Sequence, residues 1–515
     1  MNWEIITFVI YFVALLGIAL VFYFNGSNKD SEDFFLGGRS MGPWVTALSA
    51  QASDMSAWLL MGLPGSILAF GFGQMWIGIG LGLGTAANWI LCAKRLRTFS
   101  KAADDAITIP QYLTNRFGVD TKVLQTICAI IFLFCYVVYV ASALVAGTSV
   151  FEILFPNMSG KVAMVLFLIV IIGYTFFGGF KSVCVTDFLQ GMLMMIALMA
   201  VPIIVAVAHG DLLNTDALTT VFNYVDADGS QVACDFGAGL WGSSWQDIVT
   251  GLGWGLGYFG MPHIIVRFMS IEKPSMIKKS ATVAIVWVVV SLVSAVLVAY
   301  FGRMVLGKEL LEGGVINGLT YAAGSQKLVF VAMARKFFPT AICGLLLAAI
   351  IAASISTADS QLLVASSSFT ADLYKPFFRK NASEKEVLMV GRIVVLVVSI
   401  IAFLIASSKG SGAQAIMNMV ENAWGAFGAS FGATILLSLF WKRFNYPGAL
   451  AGIVTGFVVD LGWLFGGLTA STGVYEIVPG FFASMLVAII VTLVTKAPNE
   501  KAVKIFEAGT AKDAE

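Results

Sequence analysis

Long apolar runs follow one another along almost the whole chain, separated by short polar stretches. Thirteen membrane-spanning segments are predicted, near 4–25, 43–68, 71–93, 122–153, 161–179, 182–208, 246–270, 277–305, 339–370, 386–407, 412–440, 446–467 and 477–495. Each is long enough to cross about 30 Å of hydrocarbon as a helix. Two of them are interrupted by polar residues, glycine and proline. The first reads Ser49-Ala50-Gln51-Ala52-Ser53-Asp54-Met55-Ser56-Ala57-Trp58, then Met61-Gly62-Leu63-Pro64-Gly65; the second runs from Gly251 through Trp254 and Tyr258 to Pro262. Main chain in lipid must satisfy its own hydrogen bonds, so unwound backbone persists only where protein encloses it. Paired interruptions at matching places in two halves point to the binding site of a secondary transporter.

The interruptions also predict the organisation. The second and seventh segments each open a group of five helices, and an odd number of spans between them makes the two groups inverted repeats. The predicted layout is an additional N-terminal helix and inner loop over 1–42, a first five-helix repeat over 43–208, and an outer loop over 209–245. A second repeat over 246–440, two further helices over 441–497 and a polar tail over 498–515 complete it. With thirteen spans, placing the C-terminus inside puts the large majority of the 31 Lys and Arg residues on the inner side, so the positive-inside rule orients the N-terminus outward. The N-terminal residues Met1-Asn2-Trp3-Glu4 lack the basic region of a signal peptide, which makes the first apolar run a retained helix. The outer loop contains Asp211, Asp216, Asp226, Asp228 and Asp235 and no Lys or Arg; it reads as a solvated loop or, less simply, a vestibule that attracts cations.

Composition agrees with the pattern. Of 515 residues 58% are hydrophobic and 12% charged, and the mean hydropathy is +0.88, whereas a soluble domain carries roughly a quarter charged residues. A net charge of +1 argues against a nucleic-acid partner. The six cysteines form no CxxC pair, and neither a disulfide nor a metal cluster is expected. No arrangement of nucleophile, histidine and carboxylate suggests an enzyme.

Chemistry is expected where polar groups lie inside apolar segments. Asp54, Asp187, Asp359, Glu421 and Asp460 do so, and an intramembrane carboxylate costs a few kcal/mol or more. The sequence offers no obvious basic partner deep in a span, a deficit that a bound cation would answer. In the ninth segment Ala353, Ser356 and Thr357 share one helical face, and Ser356, Asp359 and Ser360 form an overlapping patch. Hydroxyl and carbonyl oxygens without soft ligands suit a hard alkali cation. Trp58, Tyr139, Trp254 and Tyr258 are aromatic residues near the breaks; such walls with a few convergent polar groups suit a small amphipathic solute.

Several stretches carry a resemblance. Phe35-Leu36-Gly37-Gly38-Arg39-Ser40-Met41-Gly42-Pro43, Ala50 to Gly62, Thr108-Ile109-Pro110 with Tyr112 and Arg116-Phe117, Gly253-Trp254-Gly255-Leu256-Gly257-Tyr258-Phe259-Gly260, and Ile355-Ser356-Thr357 followed by Gln361-Leu362-Leu363-Val364 are similar to the solute:sodium symporter family. Within it they resemble the proline-transporting branch. The resemblance spans nearly the whole chain. It implies an all-α membrane protein with a leucine-transporter-type fold and sodium-coupled uptake of L-proline across a bacterial cytoplasmic membrane. It further implies a sodium site from backbone carbonyls of Ala52, Met55 and Ala353 with the hydroxyls of Ser356 and Thr357. A proline pocket is implied from Ser56, Trp58, Tyr139, Trp254, Tyr258 and Pro262, with Asp54 supporting sodium dependence. Asp187, Asp359 and Ser360 match the placement of a second cation site in some relatives. The chain departs from the family pattern at Ala57, Met261, Asp359 and Glu421. Rival readings are the same machine with another amino acid or carboxylate solute, a transporter-shaped sensor, or a passive channel.

Overall fold

The computed structural model describes residues 3–25, 30–155, 157–226, 229–237, 239–408 and 413–511, without the side chains of Tyr23 and 413–417; Asp228 falls outside these residues. Helices dominate, as apolar runs without internal turn residues require, and they pack around one large buried core. Among the described residues ten helices are long and apolar enough to cross a membrane, so the predicted thirteen does not come out of that count. The difference arises in three places. The segments at 43–70 and 245–270 are too interrupted to count as single long helices. The 49-residue stretch Gly160–Ala208 counts once, although Gly179, at φ 66° and ψ 178°, breaks it. A straight helix of that length would run about 73 Å, more than twice the hydrocarbon thickness.

The first broken segment begins as a helix over Pro43–Met55, with proline in its first turn where no N–H is needed. Ser56 then adopts φ 48°, ψ −172°, a left-handed conformation that costs a non-glycine residue energy. Its hydroxyl accepts a hydrogen bond from the Trp58 N–H at 3.2 Å, which holds the turn. A 3-10 turn, Ala57–Leu59, leads to the second half-helix, Gly62–Phe70. Gly62 is required by packing: a Cβ there would stand 2.6 Å from the Trp58 ring.

The second broken segment starts with the helix Trp245–Gly253, whose N-terminus is closed by reciprocal Ser244 and Asp247 hydrogen bonds. It tightens into a 3-10 stretch, Trp254–Phe259, and resumes as the helix Pro262–Ser270. The first break therefore lies at a small polar residue followed by glycine and proline, and the second in a run of spaced glycines that ends at a proline. Between them stands the helix Thr340–Ser367, buried along most of its length and packed against the first half-helix. It carries Ser356, Thr357, Asp359 and Ser360.

Several smaller elements escape the hydrophobic pattern. Described residues between 210 and 242 form 3-10 turns and an antiparallel hairpin pairing Phe222–Val225 with Gln231–Cys234. Its aspartates Asp211, Asp216, Asp226 and Asp235 are exposed, as in a solvated loop. Arg303 pins this loop down by donating to the carbonyls of Leu68, Ala217, Thr220 and Cys234 at 2.6–3.1 Å. A second hairpin, Gly314–Ile316 with Leu319–Tyr321, and the helix Val329–Phe337 lie before the Thr340 helix. The tail is also more structured than its polarity suggests: Glu500–Thr510 is a helix that packs on Lys94–Ala102, and Arg116 donates to Ala502 O at 3.2 Å.

Candidate functional site

The last carbonyls of the Pro43–Met55 helix have no following turn to bond with, because the chain leaves the helix at Ser56. The Thr340–Ser367 helix faces them. Ser356 Oγ donates to Ala52 O at 2.8 Å and lies 3.2 Å from Ala353 O; Thr357 Oγ1 donates to Ala353 O at 3.0 Å. Ala52, Met55, Ala353, Ser356 and Thr357 are all buried. Four of the five residues expected to hold sodium are thus joined in one hydrogen-bonded cluster at the first break, and Met55 is the last residue of the helix. Rotation of the two hydroxyls turns their lone pairs toward the space their hydrogens now bridge, giving an all-oxygen donor set suited to a hard cation.

The aromatic residues form a connected wall beside this cluster. Trp58 and Trp254 stack across the two breaks with ring centroids 6.2 Å apart and planes 21° apart. Tyr258 donates its hydroxyl to Asp54 Oδ2 at 2.5 Å, so the first break is tied to the second through a carboxylate. Asn88 Nδ2 donates to Tyr258 O at 2.9 Å and steadies that stretch. Tyr139 is buried, with its ring 5.9 Å from that of His263; Pro262 precedes this histidine as the first residue of the resumed helix. Ser56 sits at the break itself. Trp254 Nε1 is buried without an acceptor among the described residues, a donor available to a polar solute.

Trp424 and Tyr475 belong to the same wall and were not anticipated. Trp424 Nε1 donates to Trp254 O at 2.9 Å, and its ring meets Tyr258 edge-on at 5.1 Å. Tyr475 lies 5.2 Å from Trp254. Gly257 makes this approach possible, since any Cβ there would collide with the Trp424 indole. An aromatic residue in the middle of an apolar segment was the available signal, but its partner is 170 residues away in the chain. A cleft of about 110 Å³ opens on the far side of Trp58, bounded by Gly62, Ser66, Phe70, Gln326 and Lys327. Burial lowers the pKa of the Lys327 ammonium there, and Glu152 opposes that shift.

The residues expected at a second cation site lie around a buried basic side chain. Asp187, Asp359 and Ser360 do come together, but Arg267 stands among them. Its Nη2 is 3.0 Å from Asp187 Oδ2 and also donates to Ser360 Oγ, while its Nε donates to Ser49 Oγ at 2.8 Å. Ser49 Oγ in turn donates to Asp187 Oδ2 at 2.8 Å, and Ser360 Oγ to Asp359 Oδ1 at 3.2 Å. The idea that the spans hold no deep basic partner is therefore wrong: the guanidinium is 1% exposed and supplies one positive charge, paired with Asp187. Arg267 lies within the predicted span 246–270, in the run Ile264-Ile265-Val266-Arg267-Phe268, and that position was the missed signal. The same C-terminal end of the resumed helix is anchored further, where Arg39 donates to Met269 O at 2.8 Å and Arg97 to Ile271 O at 2.7 Å.

Comparison with known proteins follows this geometry. The model of the sodium:solute symporter family matches residues 34–456. The osmoregulated proline transporter OpuE of Bacillus subtilis is 41% identical over 502 residues, covering 98% of this chain and 97% of that protein. The sodium/proline symporter of Escherichia coli is 39% identical, covering 98% and 95%. A solved sodium-coupled sialic acid symporter, in a substrate-bound outward-open state, superposes with a TM-score of 0.76 at 19% identity over 97% of this chain and 99% of that one. The last shows the fold alone, which is of the leucine-transporter type.

Proposed function

The chain belongs to the sodium:solute symporter family, and from that premise we propose that it carries L-proline into the cell together with sodium. The relatives that match over nearly the full length are proline transporters by name. The observation that carries the reading is the bridge from Ser356 Oγ to Ala52 O, which brings a hydroxyl-bearing helix onto the freed carbonyls of a broken one. Sodium is cargo here, bound between Ala52, Met55 and Ala353 carbonyls and the Ser356 and Thr357 hydroxyls. Proline sits against Trp58, Tyr139, Trp254, Tyr258 and Pro262, with Ser56 at the break.

In this reading each group has a task. Sodium ties the first broken segment to the Thr340–Ser367 helix and so orders Ser56 and its neighbours for the solute. Asp54, held by Tyr258, transmits that order from the first break to the second. The coupling requires only that sodium favour one conformation over another, and it acts reciprocally on the solute. One sodium crossing ~100 mV gains about 2.3 kcal/mol, and a tenfold gradient adds about 1.4 kcal/mol, enough for roughly 500-fold accumulation of a zwitterion. The same reading places the protein in the cytoplasmic membrane with its N-terminus outside and C-terminus inside, on the strength of the Lys and Arg bias. It keeps the five-helix repeats at 43–208 and 246–440.

Uptake of labelled proline into proteoliposomes with imposed sodium gradients tests this. Thr357→Ala and Ser356→Ala should raise the sodium half-saturation about tenfold each, the scale of one lost polar contact. Unchanged half-saturation would move the ion elsewhere. Flux indifferent to the sodium gradient would favour a channel, and competition by another solute over proline would reassign the cargo.

A further inference from the structure

Three carboxylates gather at a place the transport mechanism does not use. Asp460 lies in the helix Tyr446–Phe465, Glu476 directly precedes the helix Ile477–Val494, and Glu421 lies in the helix Ala413–Phe427. Asp460 is 0% and Glu476 1% exposed. Among the described residues neither oxygen of Asp460 has a hydrogen-bond partner, nor has Glu476 Oε1; Glu476 Oε2 accepts from Thr469 at 2.8 Å. The two side chains converge on Gly425: a Cβ there would lie 2.9 Å from Asp460 Oδ1 and 3.4 Å from Glu476 Cγ.

Among the described residues, the elements packed here bring no positive charge. The helices Ile477–Val494, Ala433–Phe440 and Leu468–Thr472 and the stretch Gly428–Gly432 bring no titratable group of their own. The titratable groups that face the pair are Tyr475 and Glu421, with Cys135 from the helix Val123–Leu154. Two buried like charges without a counter-ion cannot both persist in a medium of low dielectric. Neutralisation is the least costly resolution, and among the described residues no three His, Cys, Asp or Glu side chains converge as metal ligands. We propose that Asp460 and Glu476 form a proton-binding site, separate from the sodium cluster, that holds a proton in the closed packing of these helices and releases it when they part.

The site is mechanically connected to the solute wall. Tyr475, next to Glu476, donates to Glu421 O at 2.6 Å and stacks near Trp254. Its N–H donates to Thr250 Oγ1, on the second broken segment, at 3.1 Å. Loss of the proton would drive the carboxylates apart and pull on Tyr475, so external pH would act on solute affinity without a change in the sodium site.

The test is infrared difference spectroscopy between acid and alkaline pH at fixed sodium, in light and heavy water, on the reconstituted full chain and on Asp460→Asn and Glu476→Gln. Sodium-driven proline uptake is then measured over the same pH series. The expected result is a protonated-carboxyl band that shifts in heavy water and is lost in Asp460→Asn. Solute half-saturation should change with pH in the natural sequence and flatten in the variant, whose amide imitates the protonated acid. The spectrum reads the proton whatever the solute, so failure of the proline reading would leave it standing. An unaltered band in both variants overturns the proposal. So does a raised sodium half-saturation with no band, which would make the cluster an alkali-cation site. Glu476→Gln carries the same test should Asp460→Asn fail to reach the membrane.

Discussion

Asp187 and Asp460 are both fully buried carboxylates on membrane helices, yet the fold treats them in opposite ways. Asp187 receives an arginine from the second broken segment and a serine from the first, a compact network that spends its charge on holding three helices in register. Asp460 receives no hydrogen bond among the described residues and faces Glu476. Asp54 stands between these extremes, held by one neutral hydroxyl from Tyr258. The difference teaches that a carboxylate in lipid does not announce its task. What matters is which donor the packing brings, since a paired charge locks helices together while an unpaired one must titrate or find a mobile ion.

Arg267→Met should break the comparison most severely. It strands Asp187 without its cation, and losing one member of a buried pair costs about 3–5 kcal/mol. Little folded protein should survive in the membrane, as thermal unfolding in detergent would register. Combining it with Asp187→Asn should recover much of that loss, whereas no recovery would mean the arginine acts apart from the aspartate. Tyr258→Phe comes next. It leaves the ring contact with Trp424 but takes away the hydroxyl that Asp54 accepts, worth about 1.5–3 kcal/mol for a charged acceptor. Proline uptake should show a weakened dependence on sodium with normal expression; wild-type sodium half-saturation would detach Asp54 from coupling. Asp359→Asn should have the smallest effect. Ser360 bonds one Asp359 oxygen and Arg267 pairs with Asp187, so an amide at position 359 leaves that pair intact and the ratio of sodium to proline should stay as it is. A changed ratio, measured by reversal potential, would put a second ion back among Asp187, Asp359 and Ser360.

Much of this was readable from the chain. Ser56 and the run from Trp254 to Pro262 stood out because glycine, proline and polar residues interrupt apolar helices only under protection. The structure breaks at those residues. The face shared by Ala353, Ser356 and Thr357 followed from helical spacing alone, since neighbours three and four apart must face one way. Arg267 was visible as a residue but not as a partner, because sequence distance says nothing about which of five carboxylates it would meet. Trp424 and Tyr475 were not singled out in the chain, because only packing sets them against Trp254. The tail helix Glu500–Thr510 was overlooked because its polarity hid a face that docks on Phe99 and Arg116.

The chain alone determined where helices run and where they fail, because hydrogen-bond satisfaction in lipid is decided locally, residue by residue. It also determined which faces carry oxygen. Only the tertiary structure decided which buried charge is answered by Arg267, which by Tyr258, and which by no neighbour at all. Those outcomes depend on contacts across 80 or 204 residues of chain, and electrostatic energy in a low dielectric is set by such distances rather than by composition.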